Sequence, residues 1–281
     1  MTIRRFFIDK IINDKVILVG QQHNHLRKSL RLKVGNSIEL FDSNGQAYRG
    51  IISEVNKNDS KVNLVSMITS APEDQQIESK STGDISFPID VATSIPKISR
   101  ADWMIEKLNE IGTRSLYLLE TEYSKSSAQS TISENKLDRF HRIVIESSKQ
   151  SKNNRLMNIC PVSSFSDFIQ LQVISQRKWD HLFLGDPSGM DLPEIFKSIS
   201  SKSTTKLDTN KMNRILILIG PEGGFSQKEL TQLDKLLQEP TSSVVQLHKM
   251  KLGNHILRME TAAILSSGLV NIQYPYLFNN K

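Results

Sequence analysis

The sequence predicts an α/β protein in two parts: a larger C-terminal domain built on a mostly parallel sheet, and a small N-terminal β domain. Residues 215–219 are five consecutive aliphatic residues, which is typical of a strand buried on both faces. From residue 86 onward, segments typical of strands and helices alternate at short intervals, as in parallel α/β domains. Residues 3–67 are instead dominated by short strand-forming segments, which predict a barrel or sandwich.

Length and composition favour two globular domains. The chain has 281 residues, of which 38% are hydrophobic and 23% charged. It contains no run of eighteen apolar residues, and charges interrupt its N-terminal stretch, so we expect neither membrane insertion nor export, and a cytoplasmic protein. The single cysteine, Cys160, excludes an internal disulfide and a cysteine-based metal cluster, and its position beside Pro161 suggests a small buried hydrophobe.

The basic character of the chain is concentrated in its first quarter. Residues 1–72 hold eleven Lys/Arg against six Asp/Glu, which is +5 of the total net charge of +6. A basic module joined to a nearly neutral domain fits a nucleic-acid binder that positions a catalytic domain, although a mildly basic surface also serves solubility. The polar segment 70–85 marks the boundary, so we expect domains at 1–72 and 86–281 with a linker at 73–85.

In the N-terminal domain we expect a basic helix beside the strands. Strands are predicted at 37–41, 47–55 and 61–67, with a hairpin turn at 42–45. Between residues 23 and 35, Leu26 and Leu30 share one helix face, whereas the basic side chains Arg27, Lys28 and Arg31 point elsewhere. These three side chains form either a solvated face or a set of phosphate contacts. His23 and His25 are read as part of this basic surface.

The elements of the C-terminal domain follow from periodicity and from turn residues. Strands are predicted at 86–94, 115–119, 181–184, 215–219 and 243–247, and a surface insertion at 198–213. Helices are predicted at 99–111, ended by Gly112, at 133–150, at 165–171, from 192, and at 256–270, where Ile256, Ala263, Ile264 and Leu269 would be buried.

Residues 220–224, GPEGG, follow the central aliphatic strand. Glycines there allow a ligand to approach the backbone, and Glu222 places a carboxylate where open α/β sheets bind their ligands. Ser226 and Glu229 have capping-box spacing, so a helix is predicted to begin at Gln227, with Phe225 and Leu230 as a hydrophobic staple. The stretch lacks both the dinucleotide and the Walker fingerprints. Locally it could still be an ordinary strand-to-helix turn.

Two further groups of residues are candidates for chemistry. Arg258 and Glu260 lie at the start of the last predicted helix, where an arginine opposes the helix dipole; Arg258 is therefore either paired with a carboxylate or kept for an anionic or polarised substrate. Gln150, Asn154 and Arg155 gather at the end of the long helix, as a solvated cap or as a patch for a base and its phosphates. No Ser/His/Asp motif and no histidine pair at metal-ligand spacing is present.

Four motifs together resemble the RsmE family, bacterial 16S ribosomal RNA uridine N3-methyltransferases of the SPOUT superfamily. They are GPEGGFS at 220–226, LGNHILRMETA at 252–262, WMIEKLNEIG at 103–112 and NHLRKSLRLKVGNSIELFDSNG at 24–45. The resemblance covers nearly the whole chain. It implies a PUA-like N-terminal β-barrel, a C-terminal α/β domain with a trefoil knot, S-adenosylmethionine as cofactor, no metal, a homodimer, and 16S ribosomal RNA or the small subunit as partner.

The resemblance also implies site residues. The cofactor would be held by three strand-end loops, with contacts from Leu184, Gly185, Gly220, Glu222, Gly223, Leu247, Leu252, Gly253, Ile256 and Leu257. From the chemistry of this reaction we hypothesise that Arg258 stabilises the anionic uracil and that Glu222 or Glu260 orients the base or accepts its proton. RNA contacts are expected from Arg27, Lys28, Arg31, Gln150, Asn154 and Arg155.

Other functions stay open from the sequence. A SPOUT enzyme could methylate another base or a ribose in ribosomal or transfer RNA. A non-catalytic RNA-binding protein could retain the fold, although the intact GPEGG and LGxxILRxETA motifs argue against it. A nucleotide-dependent enzyme of Rossmann type is disfavoured by the missing phosphate fingerprint.

Overall fold

The chain forms two compact units. The computed structural model describes residues 4–68, 89–96, 98–124, 133–175, 178–202, 214–238 and 245–273. One unit, here called the N-terminal unit, comprises residues 1–82 and 145–156; the C-terminal unit comprises residues 83–144 and 157–281. The predicted linker at 73–85 lies outside the described residues, so the predicted domain boundaries stay a prediction.

The N-terminal unit is built on a five-stranded sheet. Its strands are β1 (Arg5–Phe7), β2 (Lys15–Val19), β3 (Ser37–Phe41), β4 (Ala47–Val55) and β5 (Asp59–Ile68), in the order β1-β3-β4-β5-β2. Only the pairing of β1 with β3 is parallel. The predicted hairpin between β3 and β4 is confirmed, because the main-chain N–H groups of Asn44 and Gln46 both donate to Asp42 Oδ1.

The predicted basic helix is present in shortened form. Helix α1 (Gly20–Asn24) runs into a π-helical turn (His25–Ser29). Leu26 is fully buried in the core of this unit, whereas Arg27 and Lys28 are exposed, as the spacing predicted. The assignment of His23 to the basic surface was wrong. This side chain is buried, and its ring nitrogens bond to Ser60 Oγ at 2.8 Å and Lys57 O at 3.1 Å.

The C-terminal unit is built on a parallel sheet of seven strands. They are β6 (Ile89–Thr93), β7 (Ser115–Glu120), β8 (Asn158–Ile159), β9 (Ser163–Ser164), β10 (His181–Asp191), β11 (Ile215–Ile219) and β12 (Gln246–Lys251). The order is β12-β10-β11-β6-β7-β8, and β9 pairs with β7. All five residues of β11 are buried between parallel neighbours, as the aliphatic run predicted.

Helices follow the strands in alternation. They are α2 (Ile98–Ile111), α3 (Glu134–Ser151), α4 (Phe165–Asp167) with a π-helical continuation (Phe168–Ser175), α5 (Leu192–Lys202), α6 (Gln227–Gln238) and α7 (Met259–Gln273). The predicted stripe of α2 is buried from Ala101 to Leu108, and Gly112 ends the helix with a φ of +93°. None of the described helices is both long and apolar enough to cross a membrane.

Several predicted boundaries were wrong. Strand β10 continues beyond Gly185, because a bulge between Gly185 and Met190 restores its pairing with β12. Strand β12 extends to Lys251; it lies at the edge of the sheet, where one face is open to solvent and polar residues are tolerated. Residues 198–202 of the predicted insertion belong to α5, and the rest of that insertion lies outside the described residues.

The last helix also begins later than predicted. It starts at Met259, and the side chain of Ile256 is 90% exposed, so the predicted burial of Ile256 was wrong. The helix packs against β6 and β11 with Ala262 and Ala263, whereas Ile264 is only partly buried. Small residues at this face let the helix approach the sheet closely.

Residues 145–156, the end of α3 and the segment that follows it, are grouped with the N-terminal unit. The buried side chain of Arg5 accounts for this. Its guanidinium donates to the main-chain oxygen of Ser148 at 3.1 Å and to Asn154 Oδ1, and Nε lies 2.6 Å from Glu39 Oε1. One arginine on β1 therefore ties this segment to the small sheet, although the sequence assigned the segment to the larger domain.

We expect the stability of the C-terminal unit to depend on pH through His181. Burial lowers the pKa of His181 below its ordinary value of 6.5, and its Nδ1 lies 3.1 Å from Nε2 of His248 on the neighbouring strand. A group with a lowered pKa contributes stability above its unfolded pKa, and that contribution is lost as the pH falls below it. We therefore expect the free energy of unfolding to fall between pH 7.5 and 5, by no more than about 1.4 kcal/mol per pH unit from this one proton.

Urea unfolding at several pH values measures this effect. His181→Gln should flatten the dependence, whereas the matched change His141→Gln, at an exposed position of α3, should preserve it. Equal pH slopes in the wild type and in His181→Gln would contradict the assignment.

Candidate active site

The candidate site lies at one edge of the parallel sheet. Strands β12, β10 and β11 are neighbours, and Leu184 on β10 pairs with Leu218 on β11 and with Lys249 on β12. Because the carboxyl ends of parallel strands meet at the same edge, the loops after these strands share one ligand-binding edge. The structure thus brings together the three segments that were predicted from the sequence to hold a cofactor.

The GPEGG loop after β11 offers backbone to this edge. A Cβ on Gly220 would lie 3.0 Å from the Gly224 carbonyl carbon, so a larger residue would force the loop open. A Cβ on Gly185, on the neighbouring strand, would lie 2.7 Å from Ile219 Cδ1, the flexible end of a side chain that can move aside. The contact at Gly220 is instead with backbone, which disfavours a side chain at that point of the loop.

The helix after this loop is anchored by the predicted capping box, which is confirmed. The N–H of Ser226 donates to Glu229 Oε2 at 2.8 Å, and the N–H of Glu229 donates to Ser226 Oγ at 3.2 Å. The second oxygen of Glu229 accepts from the N–H of Glu122 at 2.9 Å. Helix α6 begins at Gln227, as predicted, and the turn after β7 is fixed to its start.

Both predicted acidic residues meet at one arginine. Arg100, in the first turn of α2, donates from Nη1 to Glu222 Oε1 at 3.2 Å and to Glu260 Oε1 at 3.3 Å. These three residues come from α2, from the GPEGG loop and from the first turn of α7. The side chain of Glu260 is 3% exposed, whereas that of Glu222 is 56% exposed. The site therefore pairs a buried and an accessible carboxylate through one cation.

Two buried polar atoms of the C-terminal unit have no hydrogen-bond partner among the described residues. They are Glu260 Oε2 and Thr93 Oγ1. Thr93 is the last residue of β6 and pairs with Ile219, directly before the GPEGG loop, and α7 packs on both of these strands. An unpaired buried polar atom costs about 1–3 kcal/mol, so each of these two atoms is a point where a bound ligand can supply a hydrogen bond.

Arg258 stands immediately before α7 and is exposed. Its main-chain oxygen accepts from the N–H of Ala262 at 2.8 Å, while its guanidinium makes no ion pair with any described residue. Of the two alternatives predicted for Arg258, pairing with a carboxylate is therefore disfavoured within the described part of the chain. Glu222 and Glu260 are paired with Arg100 instead, which leaves the interaction of Arg258 with a substrate as the favoured alternative.

The remaining predicted cofactor residues differ in their surroundings. Leu247 on the edge strand pairs with Leu182 and packs against the hydrophobic core. It therefore lies two residues further from the carboxyl ends of the strands than Lys249, the partner of Leu184. Leu252 and Leu257 are partly buried, and Gly253, with a φ of +119°, is exposed. The contacts of all these residues with a cofactor stay a prediction.

The residues predicted to contact RNA all belong to the N-terminal unit. Arg27, Lys28 and Arg31 are exposed, and so are Gln150 in the last turn of α3 and Arg155 in the segment after it. Arg27 donates to Lys57 O at 3.2 Å. No hydrogen bond or ion pair joins the two groups within the described residues. The side-chain oxygen of Asn154 accepts a hydrogen bond from Arg5, so this oxygen has a structural role.

Sequence reasoning missed Arg100 and Tyr123. A signal for Arg100 existed, because a cation in the first turn of a helix opposes the dipole, and α2 has no acidic residue there. Tyr123, in the turn after β7, is half exposed and lies against the GPEGG loop: a Cβ on Gly223 would be 3.3 Å from Tyr123 Cβ. No local sequence pattern predicts the contact between Tyr123 and Gly223.

These features define an open α/β domain with a candidate ligand site at the carboxyl edge of its sheet, in a chain that also contains a small β domain. The model of a family described as RNA methyltransferase domain matches residues 84–271, and that of an RNA methyltransferase PUA domain matches residues 18–65. The chain belongs to this family of RNA methyltransferases, and the resemblance to RsmE proteins is confirmed.

Similar proteins align over most of the chain. The ribosomal RNA small subunit methyltransferase E of Synechocystis sp. is 24% identical over 264 residues, which cover 94% of this chain and 75% of that protein. The protein of the same name from Mesomycoplasma hyopneumoniae is 26% identical over 263 residues, covering 92% and 95%.

A solved structure has the same fold. The ribosomal RNA small subunit methyltransferase E of Neisseria gonorrhoeae, bound to S-adenosyl methionine, has a TM-score of 0.72 at 20% identity and covers 97% of this chain and 98% of that one. The predicted α/β domain on a mostly parallel sheet, with a small PUA-like domain, is confirmed, whereas the trefoil knot and the SPOUT superfamily stay predictions.

Proposed function

We propose that this protein is an S-adenosylmethionine-dependent methyltransferase that methylates N3 of a specific uridine in 16S ribosomal RNA. The observation that carries the proposal is the cluster at the carboxyl edge of the sheet, where a glycine-rich loop follows β11 and Glu260 keeps one buried oxygen without a partner among the described residues. The family of the chain and the names of its relatives support the reaction and the substrate.

The residues present fit the cofactor. A nucleoside with an amino-acid tail needs main-chain hydrogen bonds and apolar walls, and the loops at Gly185, Gly220 and Gly253 beside Leu184 and Leu257 would supply both kinds of contact. When bound, the sulfonium supplies an activated methyl group. The task of the protein is then to align the uridine with that group and to keep water out.

Deprotonation of the uridine base is the step that side chains must assist. Uracil N3 carries a proton, and its removal leaves a negative charge spread over the neighbouring carbonyl oxygens. The exposed guanidinium of Arg258 would stabilise this charge, and Glu222 or Glu260 would orient the base or accept its proton. A base extruded from its stack could reach these groups.

The N-terminal unit would dock the RNA. Arg27, Lys28 and Arg31 would contact phosphates, and Gln150, Asn154 and Arg155 would extend this surface, because both groups belong to the same compact unit. Phosphate contacts fix orientation without reading sequence. The choice of nucleotide would then depend on the shape of the RNA and on the catalytic edge.

We also propose a homodimer, and a reaction in the cytoplasm with 16S ribosomal RNA or the small ribosomal subunit. The homodimer is supported by large apolar side chains exposed on the C-terminal unit, namely Trp103, Ile256, Leu265 and Ile272. Exposed apolar side chains mark an interface when they form one contiguous patch. Sedimentation equilibrium would measure the mass of the assembly.

Mapping of the methylated nucleotide tests the function. The purified protein is incubated with labelled S-adenosylmethionine and either small subunits or naked 16S ribosomal RNA from a strain that lacks the gene, and the product is digested for mass spectrometry. We expect N3-methyluridine at one position. A methylated ribose, another base, or a transfer RNA product would instead establish a different SPOUT reaction, and absence of cofactor binding by calorimetry would favour a non-catalytic RNA-binding protein.

A further inference from the structure

Arg100 lies at an unusual place for a cation. It is in the first turn of α2, where the helix dipole disfavours positive charge, and this turn contains no acidic residue. Its Nη1 instead contacts two carboxylates that are far away in sequence, Glu222 and Glu260. The position of Arg100 is therefore explained by its two carboxylate partners, because an arginine in the first turn does not stabilise its own helix.

The two carboxylates are held in different ways. Glu222 is more than half exposed, so water can satisfy whatever Arg100 does not. Glu260 is buried, with Oε1 bonded to Arg100 and Oε2 unpaired among the described residues. One formal positive charge facing two formal negative charges leaves the cluster with a net negative charge. A donor that approaches Oε2 thus meets an acceptor that is fixed, desolvated and electrostatically favourable.

We propose that Arg100 is a positioning residue that fixes Glu260 through Oε1 and thereby presents Oε2 as the acceptor of the uridine N3 proton. This inference rests on the proposed function. Uridine N3 gives its proton to Glu260 Oε2, and its lone pair forms the bond to the methyl carbon. The carbon–sulfur bond breaks with its electron pair left on sulfur, so the products are N3-methyluridine, S-adenosylhomocysteine and a protonated Glu260, which later releases the proton to solvent.

The difference in burial favours Glu260 over Glu222 as the base. A buried carboxylate with one satisfied oxygen has a single direction left in which to accept, whereas an exposed carboxylate exchanges its partners with water. Arg100 contacts both, so its loss should resemble the loss of Glu260 more closely than the loss of Glu222.

The kinetic test compares Glu260→Gln, Arg100→Gln, Arg100→Lys and Glu222→Gln across pH. Glu260→Gln and Arg100→Gln should lower kcat about 100-fold at neutral pH, as expected when general-base assistance is lost, with KM for the cofactor changed less than about threefold. Their deficits should shrink as the pH rises, because the uridine then ionises without help. Arg100→Lys should recover part of kcat, and Glu222→Gln should lower it less than tenfold.

Arg139→Gln is the matched control, because Arg139 on α3 donates through Nε at 3.2 Å to Asp102, which lies on the same helix as Arg100. It should leave kcat and its pH profile unchanged. Deficits of Glu260→Gln and Arg100→Gln that stay constant with pH would overturn the proposal, because a merely structural role predicts no rescue by hydroxide.

Thermal unfolding tests the clamp without any turnover. Arg100→Gln should lower Tm by roughly 3–6 °C, because the buried Glu260 loses its cation, and the double variant Arg100→Gln/Glu260→Gln should regain at least half of that loss. No recovery in the double variant would overturn the positioning role. If the wild-type protein transferred no methyl group to RNA, the proposed function would fail, while this unfolding cycle would still decide whether Arg100 holds Glu260.

Discussion

Replacing Arg258 with alanine is expected to lower kcat for RNA methylation about 10²- to 10³-fold, the effect of removing one preorganised group that stabilises an anion in the transition state. The reason lies in the surroundings of this arginine. It is exposed at the start of α7 and makes no ion pair with any described residue, so its charge is available to a substrate. Because no such contact is lost, Tm should change by less than about 2 °C.

Single-turnover kinetics with saturating RNA and cofactor measure this effect on the chemical step. Arg258→Lys keeps the charge but loses the planar, forked donor set, so its rate should fall between those of the wild type and the alanine variant. Lys228→Ala is a matched control, since Lys228 is another exposed cation close to the GPEGG loop; its rate should stay within about twofold of the wild type. An alanine variant of Arg258 that keeps more than half of the wild-type rate would remove this residue from the mechanism.

The elements that were predictable from the sequence are those with local signals. Strand β11 follows from five aliphatic residues in a row, and the start of α6 follows from the reciprocal spacing of Ser226 and Glu229. Both signals lie within a few residues of the structure that they specify. The position of the GPEGG loop at the edge of the sheet therefore follows from local signals alone, without any long-range contact.

The remaining features depend on contacts between residues that are distant in sequence. Arg100 meets its two carboxylates across separations of 122 and 160 residues, and no periodicity encodes such a meeting. Arg5 ties the segment after α3 to the small sheet across 143 residues or more. His23 was misread for a similar reason, because its partner Ser60 lies on a strand that the local pattern of a helix cannot reveal.

The edges of the sheet and the ends of helices form a third class of features, in which predictions from the sequence were wrong. Strand β12 contains lysines and a histidine because it lies at the border of the sheet, so the strand predicted from its composition ended at Leu247, four residues too early. The start of α7 was misplaced because Ile256 continues the apolar spacing of the helix while it is exposed to solvent. Such an apolar residue is consistent with burial in the proposed homodimer, which a single chain cannot display.

The second large effect is expected at Asp90, which stabilises the fold far from the ligand edge. Asp90 is fully buried on β6 and accepts from Arg114 Nε at 2.9 Å and from Trp179 Nε1 at 2.7 Å. The hydrogen bond from Arg114 to Asp90 raises the pKa of Arg114 above its ordinary value. Asp90→Ala would leave the indole N–H of Trp179 buried without an acceptor and the guanidinium without its counter-charge.

We expect Asp90→Ala to lower the free energy of unfolding by about 3 kcal/mol, at the lower end of the range for breaking a buried ion pair, because the side chain of Arg114 is 44% exposed and water can partly solvate it. Urea unfolding followed by circular dichroism measures the loss. Asp90→Asn keeps an acceptor for Trp179, so it should cost less than the alanine variant.

Asp102→Ala gives a matched comparison, since Asp102 also binds an arginine, Arg139, through both carboxylate oxygens, but at the surface. It should cost less than about 1 kcal/mol. Asp90 stands three residues before the end of β6, roughly 10 Å from the ligand edge at the rise of a β-strand, so the folded Asp90→Ala protein should retain cofactor affinity. Equal losses in the two alanine variants would mean that burial does not determine the strength of the Asp90 pair.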